Sequence, residues 1–244
     1  MIIDFFHTTV YTPLYNALVI FLNIGPWVDV GIAVVVLTVV VKLLLFPLSL
    51  KATRTQRLMK ELEEPMKEIK EKYKDDREQQ GKKLLELYRE KKVNPFSSFL
   101  VLFIQIPVIL SLFFIFSRSG LPDINLELLY SFVTAPESVS MMLFGLVDMA
   151  GKNVILAVLA GLTQHIQARL SLPEQKPRSP DATFQEDFAR SMQTQIKYIL
   201  PFMIVVFAYI LNAAVALYWI TSNIFAIGQE VYVKRKMEEE NIEE

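Results

Sequence analysis

Lys42 is a lone charge in an apolar run: between Gly31 and Leu50 no other side chain is ionisable. It stands nine residues before Lys51, about 13 Å inside the charged end of a helix that rises ~1.5 Å per residue. A lysine stem can snorkel toward water, but from this depth its reach falls short. Holding a charge at the middle of a membrane helix costs roughly 2.5–3.5 kcal/mol on insertion scales, so Lys42 needs polar company. On one straight helix Thr38, Lys42, Ser49 and Thr53 fall within an arc of about 60°. Other apolar segments offer matching walls. Gln105 lies just before Pro107, Thr163 and Gln167 share a face with Gln164 nearby, and Tyr218, Ser222 and Gln229 share another. The candidate set is therefore Lys42, Thr38, Gln105, Thr163, Gln167, Tyr218 and Ser222, lining a hydrophilic cavity closed at one end. Such a buried cation could serve as an anion or proton site. Taken singly, each hydroxyl or amide is better explained by helix–helix hydrogen bonding than by a functional contact, and His165 reads as a packing residue.

Covalent chemistry is not indicated. The chain has no Cys, only two histidines (His7 and His165), and eight glycines scattered singly rather than in a phosphate-binding loop. No nucleophile–base pair or metal-ligand spacing is visible, so no catalytic residue, metal or cofactor is expected. A net charge of −1 exerts no overall pull toward nucleic acid.

The elements that must position these residues follow from hydropathy. Residues 31–50, 97–116, 153–170 and 198–233 hold only three charges, Lys42, Arg169 and Glu230. Apolar runs of ~18 or more exclude an ordinary soluble enzyme, and 52% hydrophobic residues exclude a disordered chain. A bilayer core of ~30 Å takes about 20 helical residues. Residues 198–233 would make one helix of roughly 54 Å, so they read as two spans with a reversal near Leu211 to Ala214. One long tilted helix is the alternative.

The loops carry Lys and Arg asymmetrically: 14 in residues 51–96, four in 171–197 and three in 234–244, against none in 1–30 and two in 117–152. Positive-inside bias places the N-terminus outside and the C-terminus in the cytoplasm, which requires an odd number of spans and favours five. The expected order is an outer segment (1–28), transmembrane 1 (29–50), a cytoplasmic hairpin (51–95), transmembrane 2 (96–117), an outer loop (118–151), transmembrane 3 (152–170), a cytoplasmic loop (171–195), transmembrane 4 (196–211), transmembrane 5 (213–233) and a cytoplasmic tail (234–244). The outer segment has no Lys or Arg, hence no signal-peptide n-region. Within it, Tyr11 to Ile24 is either a further span or an interfacial helix. The interfacial reading is preferred, because a span would need an inside anchor that is missing.

Residues 51–92 hold 14 basic and 10 acidic side chains. Leu58, Leu62, Met66, Ile69 and Tyr73 mark one helical face, Asp75-Asp76 a turn, and Leu84, Leu87 and Tyr88 a second, shorter face. Two antiparallel helices are expected, with Pro65 disturbing the first. The hairpin is either a solvated, topology-setting segment or a docking surface for a cytosolic partner or lipid headgroups.

In order along the chain come Phe46-Pro47-Leu48 after the buried Lys, the charged segment opening at Lys51 to Arg57, Leu87-Tyr88, Val93-Asn94-Pro95, Leu102-Phe103-Ile104-Gln105-Ile106-Pro107, and Leu217-Tyr218-Trp219-Ile220-Thr221-Ser222-Asn223. This order resembles the YidC-type membrane protein insertase family, bacterial relatives of insertases in mitochondria and chloroplasts, over roughly residues 10–233. The resemblance implies an all-α polytopic protein of the bacterial inner membrane, with a five-helix core, an outer interfacial helix and a cytoplasmic hairpin. It also implies a groove open to cytoplasm and lipid but sealed outside.

Its function would be to insert and fold nascent membrane proteins, alone or with the Sec translocon. The hairpin at 51–95 would meet the translocon, the ribosome or the signal recognition machinery, and membrane lipids would surround the spans. The sequence departs from the family in placing Lys42 where Arg is usual, in reading Asn212-Ala213-Ala214 at the last reversal, in lacking the large outer domain of some relatives, and in ending on an acidic rather than basic tail. Two other readings remain open: a small transporter or channel using Lys42 as an anion or proton site, and a chaperone that binds membrane proteins without inserting them.

Overall fold

The computed structural model describes residues 2–93, 97–118, 121–172 and 184–243. The Asn94-Pro95 junction and residues 173–183 of the expected cytoplasmic loop lie outside them. The chain is predominantly helical. This agrees with an all-α reading; among the described residues the sheet amounts to a short antiparallel ribbon, β1 (Met142–Leu143) against β2 (Val147–Asp148), with Leu143 opposite Val147.

The chain opens with α1 (Ile2–Phe6), a π-helical turn (His7–Tyr11) and α2 (Thr12–Leu22). The packed face of this segment carries Tyr11, Tyr15, Leu18 and Val19, all buried in the common core. Its polar residues tie down the loop that precedes the ribbon. Asn16 Nδ2 donates to the Leu128 carbonyl (2.8 Å) and its Oδ1 accepts from Tyr130 N (2.7 Å). Tyr15 Oη accepts from Asn125 N (2.8 Å), and Asn23 Nδ2 donates to the Thr134 carbonyl (2.7 Å). A buried Asn and Tyr are tolerated there because each has a hydrogen-bond partner.

Helix α3 (Val30–Leu44) starts at Asp29, whose carboxylate accepts from Ile32 N as an N-cap (2.8 Å). It is succeeded at once by α4 (Phe46–Glu61), bent from it by 68°. Pro47 explains the break: it has no N–H for the carbonyl four residues back, and it sits comfortably in the first turn of the next helix. The bend divides residues 29–50 between two helices. It also separates Thr38 and Lys42 from Ser49 and Thr53, whose common arc presupposes one straight helix.

A second, lesser interruption at Leu62 separates α4 from α5 (Glu63–Lys72), where Pro65 removes the bond to the Glu61 carbonyl. Asp76 then caps α6 (Arg77–Glu90), its carboxylate accepting from Gln79 N (2.9 Å). Tyr88 Oη reaches Met66 Sδ (3.7 Å), and Gln80 Nε2 donates to the Lys70 carbonyl (3.0 Å), so α5 and α6 lie side by side.

The remaining helices are α7 (Ser97–Arg118), which continues through Pro107, α8 (Val154–Ser171), α9 (Phe184–Thr194), α10 (Leu200–Ile210) and α11 (Ala213–Glu243). A π-helical turn, Gln195–Ile199, joins α9 to α10. The last apolar run is broken at Leu211-Asn212. Ala213 N and Ala214 N bond the carbonyls of Gly151 and Met149, beside the start of α8 (2.8 and 3.0 Å). His165, late in α8, meets Lys197, just before α10. Helices α10 and α11 therefore run in opposite directions, both packed on α8.

That packing is close because the facing residues are small. Ala157, Ala160, Ala208, Ala213 and Ala216 are buried. A Cβ on Gly161 would collide with Val205 and lie 2.9 Å from the Pro201 carbonyl oxygen. The outward faces are apolar: Ile155, Leu162, Phe202 and Ile210 are all more than half exposed. By length and apolarity, the continuous helix over residues 190–210 is long enough to cross a bilayer, as is the bent pair α3–α4.

Candidate functional site

Lys42 sits on the last turn of α3, half-buried, and its ammonium donates to Gln105 Oε1 on α7 at 3.2 Å. The same amide turns its nitrogen to α11, donating to Tyr218 Oη (2.6 Å) and toward Ser222 Oγ (3.4 Å). Tyr218 and Ser222 are four residues apart on one helical face and are almost wholly buried, at 2% and 4% exposure. Four of the seven residues expected from sequence thus converge in one node joining three helices. Lys42's partner is a neutral amide: among the described residues no carboxylate lies within salt-bridge reach of it. The Lys42 side chain is thus held by neutral hydrogen-bond partners in apolar surroundings.

The other three expected residues stand apart. Thr38, 2% exposed, returns its hydroxyl to the Val34 carbonyl of its own helix (2.6 Å), the usual way a helical Thr satisfies itself. Gln167 is engaged within α8, accepting from Gln164 Nε2 (3.2 Å) and donating to Ser171 Oγ (2.9 Å). Thr163 joins α8 to α11 instead, accepting from Asn223 Nδ2 (3.2 Å), which also approaches the Ala160 carbonyl (3.4 Å). Asn223 is absent from the sequence-derived set, although it adjoins Ser222. A buried amide one position from a site residue, and so rotated by 100° to the neighbouring helix, is the signal that points to it. His165 Nδ1 lies 2.7 Å from the Lys197 carbonyl oxygen, with its ring against Tyr198, a packing role.

Beyond the 68° bend lies a second polar node. Ser49 Oγ donates to Gln229 Oε1 (2.9 Å), whose Nε2 donates to Thr53 Oγ1 (2.7 Å). One turn further, Arg57 and Glu230 form an ion pair (2.7 Å), with the glutamate side chain 5% exposed. The guanidinium also approaches the Glu230 carbonyl (3.4 Å). Ser49, Thr53 and Arg57 recur every four residues, one face of α4 laid on α11. In sequence Glu230 reads as a charge near a span end, and its pairing with Arg57 is legible only in that four-residue spacing. Between the nodes the Phe46 ring packs edge-on against Phe225 (6.2 Å) and near Tyr232 (6.4 Å). No cluster of metal-ligating side chains occurs among the described residues.

The chain is similar to known proteins over nearly its whole length. The model of the family described as 60Kd inner membrane protein matches residues 21–240. The chain is 32% identical over 219 residues to a protein of Nitrosococcus oceani named Membrane protein insertase YidC, a match covering 89% of this chain and 34% of that protein. It is 33% identical over 214 residues to a protein of the same name from Francisella tularensis subsp. novicida, covering 87% of this chain and 33% of the relative. The chain thus spans about a third of the length of the curated relatives it matches.

Proposed function

Since the chain belongs to the 60Kd inner membrane protein family, the family of YidC-type insertases, we propose that it inserts nascent membrane proteins into the bacterial inner membrane. In this reading α3 with the start of α4, then α7, α8, α10 and α11 are five spans. The N-terminus is outside, and α5 and α6 stand in the cytoplasm. The segment α1–α2 belongs to the outer side, where it backs the loop before the ribbon.

The observation that carries the proposal is the three-helix node of Lys42, Gln105, Tyr218 and Ser222. A cation sharing a neutral amide inside apolar helices is costly to maintain and suits a transient guest with an acidic or polar terminus. A substrate segment would enter from the cytoplasm and rest its polar end against Lys42 and the neighbouring hydroxyls. These lower the cost of carrying polar groups through hydrocarbon. Its apolar part would then pass into lipid, where burial is favourable. The membrane potential favours outward movement of acidic residues by about 2.3 kcal/mol per charge per 100 mV. No covalent step is involved. The hairpin α5–α6 is the surface proposed for the translocon, the ribosome or the signal recognition machinery.

The test is insertion of a single-span protein with an acidic N-terminal segment into vesicles containing the purified chain, read by protease protection. Lys42→Ala should impair insertion and Lys42→Arg should preserve it. Equal insertion by the alanine variant at equal reconstitution would remove Lys42 from the mechanism. Substrate that stays bound to the chain but protease-accessible would identify a chaperone instead.

A further inference from the structure

We propose that the turn Phe144-Gly145-Leu146 is a lipid-anchoring finger whose apolar tip inserts into the outer leaflet beside the start of α3. The inference rests on the reading that α3 enters the membrane at its N-terminal end, and it adds a site to that reading.

The turn closes the β1–β2 ribbon, with Leu146 N bonded to the Leu143 carbonyl (2.9 Å). Phe144 and Gly145 both have positive φ, +50° and +71°, in the left-handed region. Glycine suits that position, but a bulky residue there is disfavoured. Phe144 gains no packing inside the molecule in return: it is 72% exposed, and Leu146 is 83% exposed. Around Gly145 there is open space for a side chain.

The tip is nevertheless fixed in place. The Asp29 carboxylate that caps α3 also accepts from Phe144 N (2.6 Å). Val30 N donates to the Ser140 carbonyl (2.9 Å), and Leu143 presses on Gly31 where a Cβ would not fit. These contacts hold the finger at the level where the apolar helix begins. Trp27, 69% exposed, stands at the same level just before Asp29. Exposed aromatic side chains at a span's end are the pattern of a membrane–water interface. No Lys or Arg occurs from residue 119 to 151, so nothing basic marks the finger as a dock for an acidic protein surface.

The full chain is reconstituted in phosphatidylcholine–phosphatidylglycerol vesicles, with Phe144→Trp as reporter in a Trp27→Phe/Trp219→Phe background. Leu146→Trp, at an open position of ordinary backbone geometry, is an independent reporter should the first variant misfold. Companion samples carry Trp27 alone or Tyr88→Trp on the hairpin. The expected result is blue-shifted tip emission, loss of most of its intensity with lipids brominated near the headgroup end of the acyl chain, weaker loss with deep bromines, and little quenching by aqueous iodide. The Tyr88→Trp sample, half-buried against Met66 in the hairpin, should be left unquenched by bromines at either depth.

Water-like emission with full iodide access overturns the anchor. So does blue-shifted emission that bromolipids leave unchanged and that vanishes on diluting the protein in lipid, which is contact with another protein. If the tip is water-exposed while Trp27 is quenched by shallow bromines, the finger fails but the span stands. If both are water-exposed, the reading of α3 fails with it. Substrate insertion is not the readout, so a failed insertion assay leaves the finger standing.

Discussion

Replacing Gln105 by glutamate changes one atom of the central node and should switch off its guest. In the native chain the Lys42 ammonium shares Gln105 Oε1 at 3.2 Å, a neutral contact that an incoming carboxylate can displace. The carboxylate introduced by Gln105→Glu would hold the same geometry. The hydroxyls of Tyr218 and Ser222, which accept from the amide nitrogen, can rotate to donate to an oxygen instead, so the node stays satisfied. Two unit charges at that distance attract by about 5 kcal/mol at an effective dielectric of ~20. After desolvation of the new carboxylate, a net gain of about 1.5–3 kcal/mol remains for a charge-assisted bond. A substrate carboxylate must overcome that gain, which predicts a loss of roughly 10- to 150-fold in its use of Lys42. The assay is the vesicle insertion rate of paired single-span substrates that differ only in an acidic or neutral N-terminal segment. Gln105→Glu should slow the acidic substrate and spare the neutral one, whereas Gln105→Met, which adds no charge, should discriminate far less. Wild-type rates for the acidic substrate with Gln105→Glu would show that Lys42 does not receive a carboxylate at this node.

Four further outcomes follow from the packing. Glu230→Leu strands Arg57 beside an apolar side chain and should destabilise the chain by about 3 kcal/mol, the lower end for a buried pair because Arg57 is 19% exposed. Adding Arg57→Met should recover most of that loss, and strictly additive losses on unfolding in mixed micelles would show the pair to be solvated. Gly161→Leu forces α8 from the Pro201 carbonyl and Val205 on α10 and should cost about 1–3 kcal/mol, seen as a lower unfolding midpoint in detergent. Ser111→Ala removes a fully buried hydroxyl that has no partner among the described residues and should be neutral or stabilising by about 1 kcal/mol. Replacing residues 63–90 by a Gly/Ser linker deletes α5 and α6 but keeps the α4 contacts to α11, so normal insertion by that variant would limit the hairpin to a topological role.

What was legible in the sequence is what depends on local pattern. The lone cation at Lys42, a candidate amide at Gln105, and Tyr218 with Ser222 at a spacing of four all follow from counting polar residues in apolar runs, whereas the choice of Gln105 over the other amides as the partner of Lys42 does not. The break in the last run at Leu211-Asn212 follows from length. What was not legible depends on direction between helices. Thr38 and Gln167 carry the right chemistry at the right depth, yet a Thr hydroxyl can return to its own backbone and a Gln can bond along its own helix, and nothing in the linear pattern separates these fates. Asn223 was hidden by the same rule that revealed Ser222: adjacent helical positions face different neighbours, so one turns to Gln105 on α7 and the other to Thr163 on α8.

The bend at Leu45 is the largest structural consequence that periodicity alone could not supply. Pro47 was visible as a residue, but its effect is to redirect every side chain after it. A straight helix would align Thr38, Lys42, Ser49 and Thr53 along one wall. The 68° bend instead makes two nodes with different electrostatics. The upper node keeps a positive charge against a neutral amide. The lower node pairs mostly within itself, its amide, hydroxyls and ion pair engaging one another along α4 and α11 while Arg57 Nε finds no partner among the described residues, with Phe46 and Phe225 between the two nodes. Only the upper node holds a cation with no carboxylate in reach among the described residues, and only the lower one holds two helices together at their polar ends. The two tasks therefore separate by mutation: changes at Gln105 should alter which substrates are accepted with little effect on stability, and changes at Glu230 should alter stability before they alter substrate choice. If both sets of variants moved stability and substrate preference in parallel, the nodes would be one continuous polar wall, and the bend would have no functional consequence.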